Sequence, residues 1–405
     1  MKALKQVTDY STSLGIGSFS GMEFLSFYSG NYVYVKCFVS QLMSFQTIEN
    51  GYRFALLGPS GTLDAAKLSG VGAAGIDIDA KQMTGGLTFI ATGHTNVVHG
   101  SSYGDTMIGG PAVNEFHGGA GDDVLRGADG FNQLYGDTGN DQLFGGAGYN
   151  VLYGGAGNDQ LFGGAGNDTL GGVAGDDTLT GGAGDDVYQV DSKRDVITEG
   201  ANGGVDTMLV TTGGAWTLAG HVEKLIYRGA QALDATGNNQ ANMIHGGRGD
   251  DTLRGGANAD TLNGGAGNDR LLGGTGNDVL SGGFGHDTLT GGGGADIFVL
   301  TGPRNHATIT DFVVADDTLR VDHATFTALT EGTLSAAALL VVSSANGAFW
   351  GGGGTASPSA GTRLIYDSAS GRLAYDADGA GSIAPVTIAK LAPGLALTTD
   401  DFLVV

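Results

Sequence analysis

The chain has 405 residues, 77 of them glycine, with 42 Asp+Glu against 19 Lys+Arg and a formal net charge of −23. That acidity argues against a nucleic-acid or anionic-membrane partner, because such a field repels polyanions and gathers divalent cations. The single cysteine, Cys37, excludes an internal disulfide framework, and no stretch approaches the ~18 uninterrupted apolar residues of a membrane span.

Residues 1–90 open with Lys2 and Lys5, but the Gln-Val-Thr-Asp-Tyr-Ser-Thr-Ser that follows lacks the apolar run of a signal peptide. Alternation over Tyr32-Val33-Tyr34-Val35-Lys36-Cys37-Phe38-Val39 predicts a strand, as do Ile76-Asp77-Ile78 and Leu87-Thr88-Phe89. Gly21-Met22-Glu23-Phe24-Leu25-Ser26-Phe27 echoes Gly220 to Tyr227, so the segment reads as a β-rich, solenoid-like spacer, consistent with the remnant of a longer parent protein.

Eleven nine-residue units then run from Ala91 to Gln189, and seven more from Gly237 to Val299. Clean copies read Gly-Gly-x-Gly-x-Asp-x-Leu-x, as in Gly118-Gly119-Ala120-Gly121-Asp122-Asp123-Val124-Leu125-Arg126. The glycine-rich half suits a turn with positive φ, and x-Leu-x suits a very short strand whose central side chain points inward. A disordered glycine linker would not place Leu125, Leu134, Leu143, Leu152, Leu161, Leu170 and Leu179, then Leu253 to Leu289, at every ninth residue. The expected fold is all-β, a parallel β-roll or β-solenoid in which each unit buries its leucine against its neighbours.

A second period lies inside the first. The sixth positions read Asn96, Asp105, Asn114, Asp123, Asn132, Asp141, Asn150, Asp159, Asp168, Asp177 and Asp186. Their alternation implies a coil of two nonads, 18 residues, with one edge carrying aspartate and the other asparagine up to Asn150. Stacked coils lie about 4.8 Å apart, where two carboxylates at an effective dielectric of 20 repel by roughly 3 kcal/mol. Burying one leucine contributes only about 1.5–3 kcal/mol, so the acidic edge calls for a counter-ion. Calcium fits best, since it accepts six to eight oxygens in loose geometry, and no thiolate–histidine cluster for zinc is present.

The nonads resemble the RTX family of hemolysin-type calcium-binding repeats. The resemblance implies a Ca2+ ion between each two stacked loops, held by sixth-position aspartates and loop carbonyls. Carried onto this chain, the pairs are Asp105/Asp123, Asp123/Asp141, Asp141/Asp159, Asp159/Asp177 and Asp168/Asp186. In the second array they are Asp251/Asp269, Asp269/Asp287, Asp260/Asp278 and Asp278/Asp296. Two departures stand out: Ser101-Ser102-Tyr103 replaces glycines before Asp105, and the asparagine edge offers neutral ligands, so that edge is expected to be mostly metal-free.

Residues 190–236, with Asp195-Val196-Ile197-Thr198-Glu199 and Gly204-Val205-Asp206-Thr207-Met208, resemble the β spacers between RTX arrays; their carboxylates are expected to satisfy turn amides or bind one further ion. Residues 300–405 hold Ile309-Thr310-Asp311-Phe312 and Leu364-Ile365-Tyr366-Asp367 and resemble the β-rich cap of serralysin-type secreted proteins. Asp376-Ala377-Asp378-Gly379 makes a poor EF-hand, because Ala380 follows the glycine. The end, Asp400-Asp401-Phe402-Leu403-Val404-Val405, resembles an uncleaved type I secretion signal, although an edge strand would read alike. Five segments follow: 1–90, 91–189, 190–236, 237–299 and 300–405.

His-Glu-x-x-His does not occur, Gly17-Ser18-Phe19-Ser20-Gly21 places Phe where a nucleophile elbow would have its serine, and His99 and His117, 18 apart, are expected to stack on the outer face. The resulting expectation is a secreted, extracellular, non-enzymatic calcium-binding protein with a structural or adhesive role. Its partners would be calcium ions, a type I secretion transporter and a cell-surface or polysaccharide ligand. The rival is an RTX-carrying polysaccharide-modifying enzyme using spacer carboxylates such as Glu199 and Asp206, or the non-catalytic C-terminal portion of a larger secreted hydrolase.

Overall fold

The structure is a computed structural model that describes residues 24–27, 33–38, 52–65, 76–91, 93–302, 306–343, 359–379 and 383–405. No α-helix occurs among the described residues, which divide into two compact units, Met1–Asp206 and Thr207–Val405.

In the first unit each nonad supplies one turn and one strand, and alternate nonads stack into two parallel sheets. Asn114–Ala120, Asn132–Thr138, Asn150–Ala156, Thr169–Ala174 and Val187–Val190 form one side. Val124–Arg126, Gln142–Gly146, Gln160–Ala165, Thr178–Ala183 and Val196–Thr198 form the other. The register sets Leu125 beside Leu143 and Leu134 beside Leu152, a coil of 18 residues. Every inward leucine from Leu125 to Leu179 is wholly buried, worth about 1.5–3 kcal/mol apiece.

The turns need glycine where φ is positive, as at Gly119 (106°) and Gly121 (105°). The solenoid also extends upstream of the repeats. Phe24–Phe27 pairs antiparallel with Val33–Phe38, which pairs in parallel with Tyr52–Gly58, and Ile76–Met83 and Asn96–His99 follow. Coils here are wider, with Gly61 opposite Leu87.

The second unit repeats the plan. Met243–Gly247, Thr261–Ala266, Val279–Phe284, Ile297–Leu300 and Thr318–Val321 stack on one side. Leu233–Thr236, Thr252–Ala257, Arg270–Thr275, His286–Gly293 and His306–Ile309 stack on the other. A parallel roll would end in open edge strands, and the C-terminal residues cover both. Val386–Lys390 pairs with His306–Ile309 and continues antiparallel into Arg372–Tyr375 and Leu364–Asp367. Phe402–Val404 pairs with Thr318–Val321, burying Phe402 and Val404.

Candidate metal centre

The sixth residue of each nonad sits between turn and strand, and its side chain lies against the first glycine of its own loop. A Cβ on Gly136 would fall 2.2 Å from Oδ2 of Asp141 and 2.4 Å from the carbonyl oxygen of Gly154 in the next coil. The first glycine is therefore required for space and not for φ: its bare Cα leaves a cradle between a carboxylate and a carbonyl.

Each ladder aspartate accepts, through Oδ1, the backbone N–H of the residue one coil earlier. Asp105, Asp123, Asp141 and Asp159 donate to Asp123, Asp141, Asp159 and Asp177 at 2.6–2.9 Å. On the opposite edge Asp168 donates to Asp186 at 2.7 Å. In the second unit Asp251 donates to Asp269, Asp269 to Asp287, Asp260 to Asp278 and Asp278 to Asp296, at 2.8–3.0 Å. All the sequence-selected pairs thus stack one coil apart.

The second oxygen is different. Oδ2 of Asp123, Asp141, Asp159, Asp168, Asp177, Asp186, Asp251, Asp260, Asp269 and Asp278 is buried without a hydrogen-bond partner. A buried acceptor left unmatched costs about 1–3 kcal/mol, more when charged, so ten of them, spread over two edges in each unit, require compensation. Burial accordingly pushes these carboxyls up: Asp123 to about 8, Asp168, Asp186 and Asp269 to about 7, and Asp141, Asp159, Asp177, Asp251 and Asp260 to about 6. For Asp123 the neighbouring carboxylates of Asp105 and Asp141 add to the effect, while the Asp105 N–H opposes it.

The asparagine edge solves the same problem with its own protons. Nδ2 of Asn96, Asn114 and Asn132 donates to Oδ1 of Asn114, Asn132 and Asn150 at 3.0, 2.7 and 2.7 Å. Nδ2 of Asn132 also reaches the carbonyls of Ala128, Gly130 and Gly145 at 2.9–3.1 Å. An amide NH2 occupies the cradle and satisfies the loop carbonyls that the aspartate edge leaves facing a carboxylate.

Asp105 stands apart. Ser101 donates its N–H to Oδ2 at 2.6 Å and its hydroxyl to Oδ1 at 3.0 Å, and Leu87 N–H also reaches Oδ1. The serine that replaces glycine adds a hydroxyl donor, and its backbone N–H reaches the Oδ2 that ten other ladder aspartates leave without a partner.

Three further ladder members lie outside the two arrays; Asp206 and Asp317 are off the nonad phase, whereas Asp195 keeps it in a loop, Val190-Asp191-Ser192-Lys193-Arg194, that has no glycine. Asp195 accepts from Asp177 at 3.2 Å, Asp206 from Asp186 at 2.8 Å, and Asp317 from Asp296 at 2.9 Å. Their spacings of 18, 20 and 21 residues were the available signal. Outside the ladders, His99 and His117 stack with ring centroids 4.7 Å apart, and Tyr135 continues the stack at 4.5 Å. Asp376 Oδ1 accepts from Asp378 and Gly379 N–H, an ordinary turn.

The donor set is therefore all oxygen, buried, anionic and backed by a cradle that a Cβ would fill, which fits a hard cation with loose coordination. The family model of the RTX calcium-binding nonapeptide repeat matches residues 99–134, 135–170, 172–197, 236–271 and 264–298. No curated protein matches the chain.

Proposed function

From two arrays that are RTX calcium-binding nonapeptide repeats, we propose a secreted protein that folds on extracellular calcium and serves a structural or adhesive role. The observation that carries this reading is the row of buried, unpartnered Oδ2 atoms. Asp123, Asp141, Asp159 and Asp177 would hold ions on one edge and Asp168 and Asp186 on the other. Asp251, Asp269 and Asp287, with Asp260, Asp278 and Asp296, would do so in the second unit. Calcium would supply the positive charge and the coordination that these oxygens lack. Because such a site does not exist in the unfolded chain, its binding energy is folding energy.

Low cytosolic calcium would keep the arrays extended for passage through a type I transporter, and external calcium would fold them on arrival. Circular dichroism should show little β signal in chelator and a cooperative gain at about 0.1–1 mM calcium, the range of extracellular modules. A roll fully formed in excess chelator would overturn the calcium-coupled reading. Export should be abolished by deleting Asp400 to Val405, and undiminished export would remove the C-terminal signal from the proposal. Incubation with alginate, pectin and casein should show calcium-dependent retention on a ligand at most; turnover would favour an enzyme.

A further inference from the structure

The spacer that follows the first array contains an irregularity that builds a cluster of a different kind. Strand Val196–Thr198 pairs with Thr178–Thr180, which puts Glu199 one coil after Gly181. Glu199 thus stands where every clean nonad has its first glycine. In a standard loop no side chain fits there, because a Cβ on Gly181 would lie 2.2 Å from Oδ2 of Asp186. The spacer loop makes room by its length: Asp186 and Asp206 are 20 residues apart where regular ladder neighbours are 18 apart. Two extra residues move Asp206 away from position 199 and let a glutamate enter.

The glutamate is half-buried and hydrogen-bonded. The Tyr188 hydroxyl, itself accepting the Gly181 N–H at 2.7 Å, donates to Oε1 of Glu199. Gly200 N–H donates to Oε2 at 3.1 Å. Asp186, Glu199 and Asp206 each offer an oxygen, and the three oxygens lie within 4.8 Å of one another. Two ligands at 2.3–2.6 Å from one calcium ion can be up to about 5 Å apart, so a single ion spans the cluster. Independently of this grouping, Asp186 has no exposed surface and its Oδ2 has no hydrogen-bond partner. The same Oδ2 and Oε1 of Glu199 both border the bare Cα of Gly181, at 2.2 and 2.5 Å from where its Cβ would be.

We infer that Asp186, Glu199 and Asp206 form a distinct calcium site closing the first array, with three carboxylates in place of the two that a regular pair of loops provides. The inference rests on the calcium-binding reading of the repeats. Ligand charge raises affinity for calcium, so this site fills before the regular ones. Tyr188 is a positioning residue: its hydroxyl fixes Glu199 and bonds no ion.

Equilibrium dialysis of the full chain with calcium tests this. Glu199→Gln should bind one ion fewer than the unaltered protein and lose the tightest binding class. Its circular dichroism in saturating calcium should stay the same. A folded Glu199→Gln chain with unchanged stoichiometry and affinities overturns the inference. Crystals of the unaltered protein grown with calcium decide the matter should the variant fail to fold. An ion bonded to Asp186, Glu199 and Asp206 supports the site, and ions in the regular loops with none here overturn it. Absence of calcium from every loop overturns the repeat reading itself, and this site with it.

Discussion

Asn132 donates its side-chain N–H to Oδ1 of Asn150, one coil on, at 2.7 Å. Nine residues from Asn132, on the other edge, Asp141 presents a buried oxygen with no donor at the equivalent place. The two edges share backbone, coil length and glycine cradles and differ in one substitution, NH2 for O. From Asn114 to Asn150 the asparagine edge is complete as protein, whereas the aspartate edge, and the Asp168 and Asp186 that end the asparagine edge, are complete only with a cation. The first array therefore contains a metal-independent spine from Asn114 to Asn150 alongside its calcium ladder.

Asn132→Ala should leave calcium stoichiometry unchanged while lowering stability of the calcium-loaded roll. Counting one lost hydrogen bond gives about 1 kcal/mol, but the two N–H groups of Asn132 Nδ2 are shared among the carbonyls of Ala128, Gly130 and Gly145 and Oδ1 of Asn150. Several buried acceptors are then orphaned, so a loss of about 2–3 kcal/mol is expected in denaturant melts at saturating calcium. A loss of bound ions in this variant would contradict the division between edges.

Acidity should act in opposite directions on the two states of the roll. Burial holds the ladder carboxyls above the ordinary value of 3.8 when folded without metal, Asp141 at about 6, Asp168 and Asp269 at about 7 and Asp123 at about 8. Between those limits the metal-free roll holds more protons than the unfolded chain, so its stability rises as pH falls through 8 to 6 and is lost as pH rises. Calcium needs the ionised form, so its affinity falls over the same interval. Thermal melts in chelator should show more retained β structure at about pH 5 than at about pH 8, and the calcium midpoint should move upward on acidification. Melts in chelator that favour the higher pH would refute the sign.

Much of this was legible in the residues because a repeat restates each rule many times. The leucine at every ninth position set the core, and the Asp/Asn alternation set the 18-residue coil that the Leu125–Leu143 register displays. The cradle role of the first glycine was hidden, since sequence shows that glycine is there but not whether φ or space demands it. Asp206 and Asp317 were hidden for another reason: their loops are longer, and a ladder member that arrives 20 or 21 residues on falls outside the nonad phase; Asp195 keeps the 18-residue phase, but its loop lacks the glycines that mark a nonad. The wide coils before Asn96 carry no repeat at all, so only their alternation could be read. The end of the chain reads as an export signal in preference to an edge strand, and the fold shows Phe402 to Val404 as a strand beside Thr318–Val321, a pairing compatible with either role.

Val173 occupies the second position of its nonad, where neighbouring loops have glycine, and holds φ at 77°. A β-branched residue in the left-handed region costs roughly 1–2 kcal/mol, and Val173 is about half exposed, so little packing offsets that cost. Val173→Gly should therefore stabilise the calcium-loaded roll by about 1 kcal/mol, read as a higher denaturant midpoint with unchanged calcium binding. A lowered midpoint would show that the valine side chain contributes more than its backbone strain removes.

Asp141 sits between Asp123 and Asp159, accepting from the first and donating its N–H to the second. If each ion lies between two stacked loops, Asp141 serves two of them, and Asp141→Ala should lower the calcium count by two and shift the folding midpoint to higher calcium. Asp141→Asn separates charge from shape. Its amide could enter the cradle as Asn132 does, against the Gly136 loop and the Gly154 carbonyl. That variant should likewise lose ions, yet fold at lower calcium than Asp141→Ala, because the new NH2 removes a repulsion and satisfies a carbonyl at once. Calorimetric stoichiometry and circular dichroism titrations on the pair provide the measurement. Full occupancy of both sites in Asp141→Asn would mean that loop carbonyls, and not the carboxylate, hold the ion.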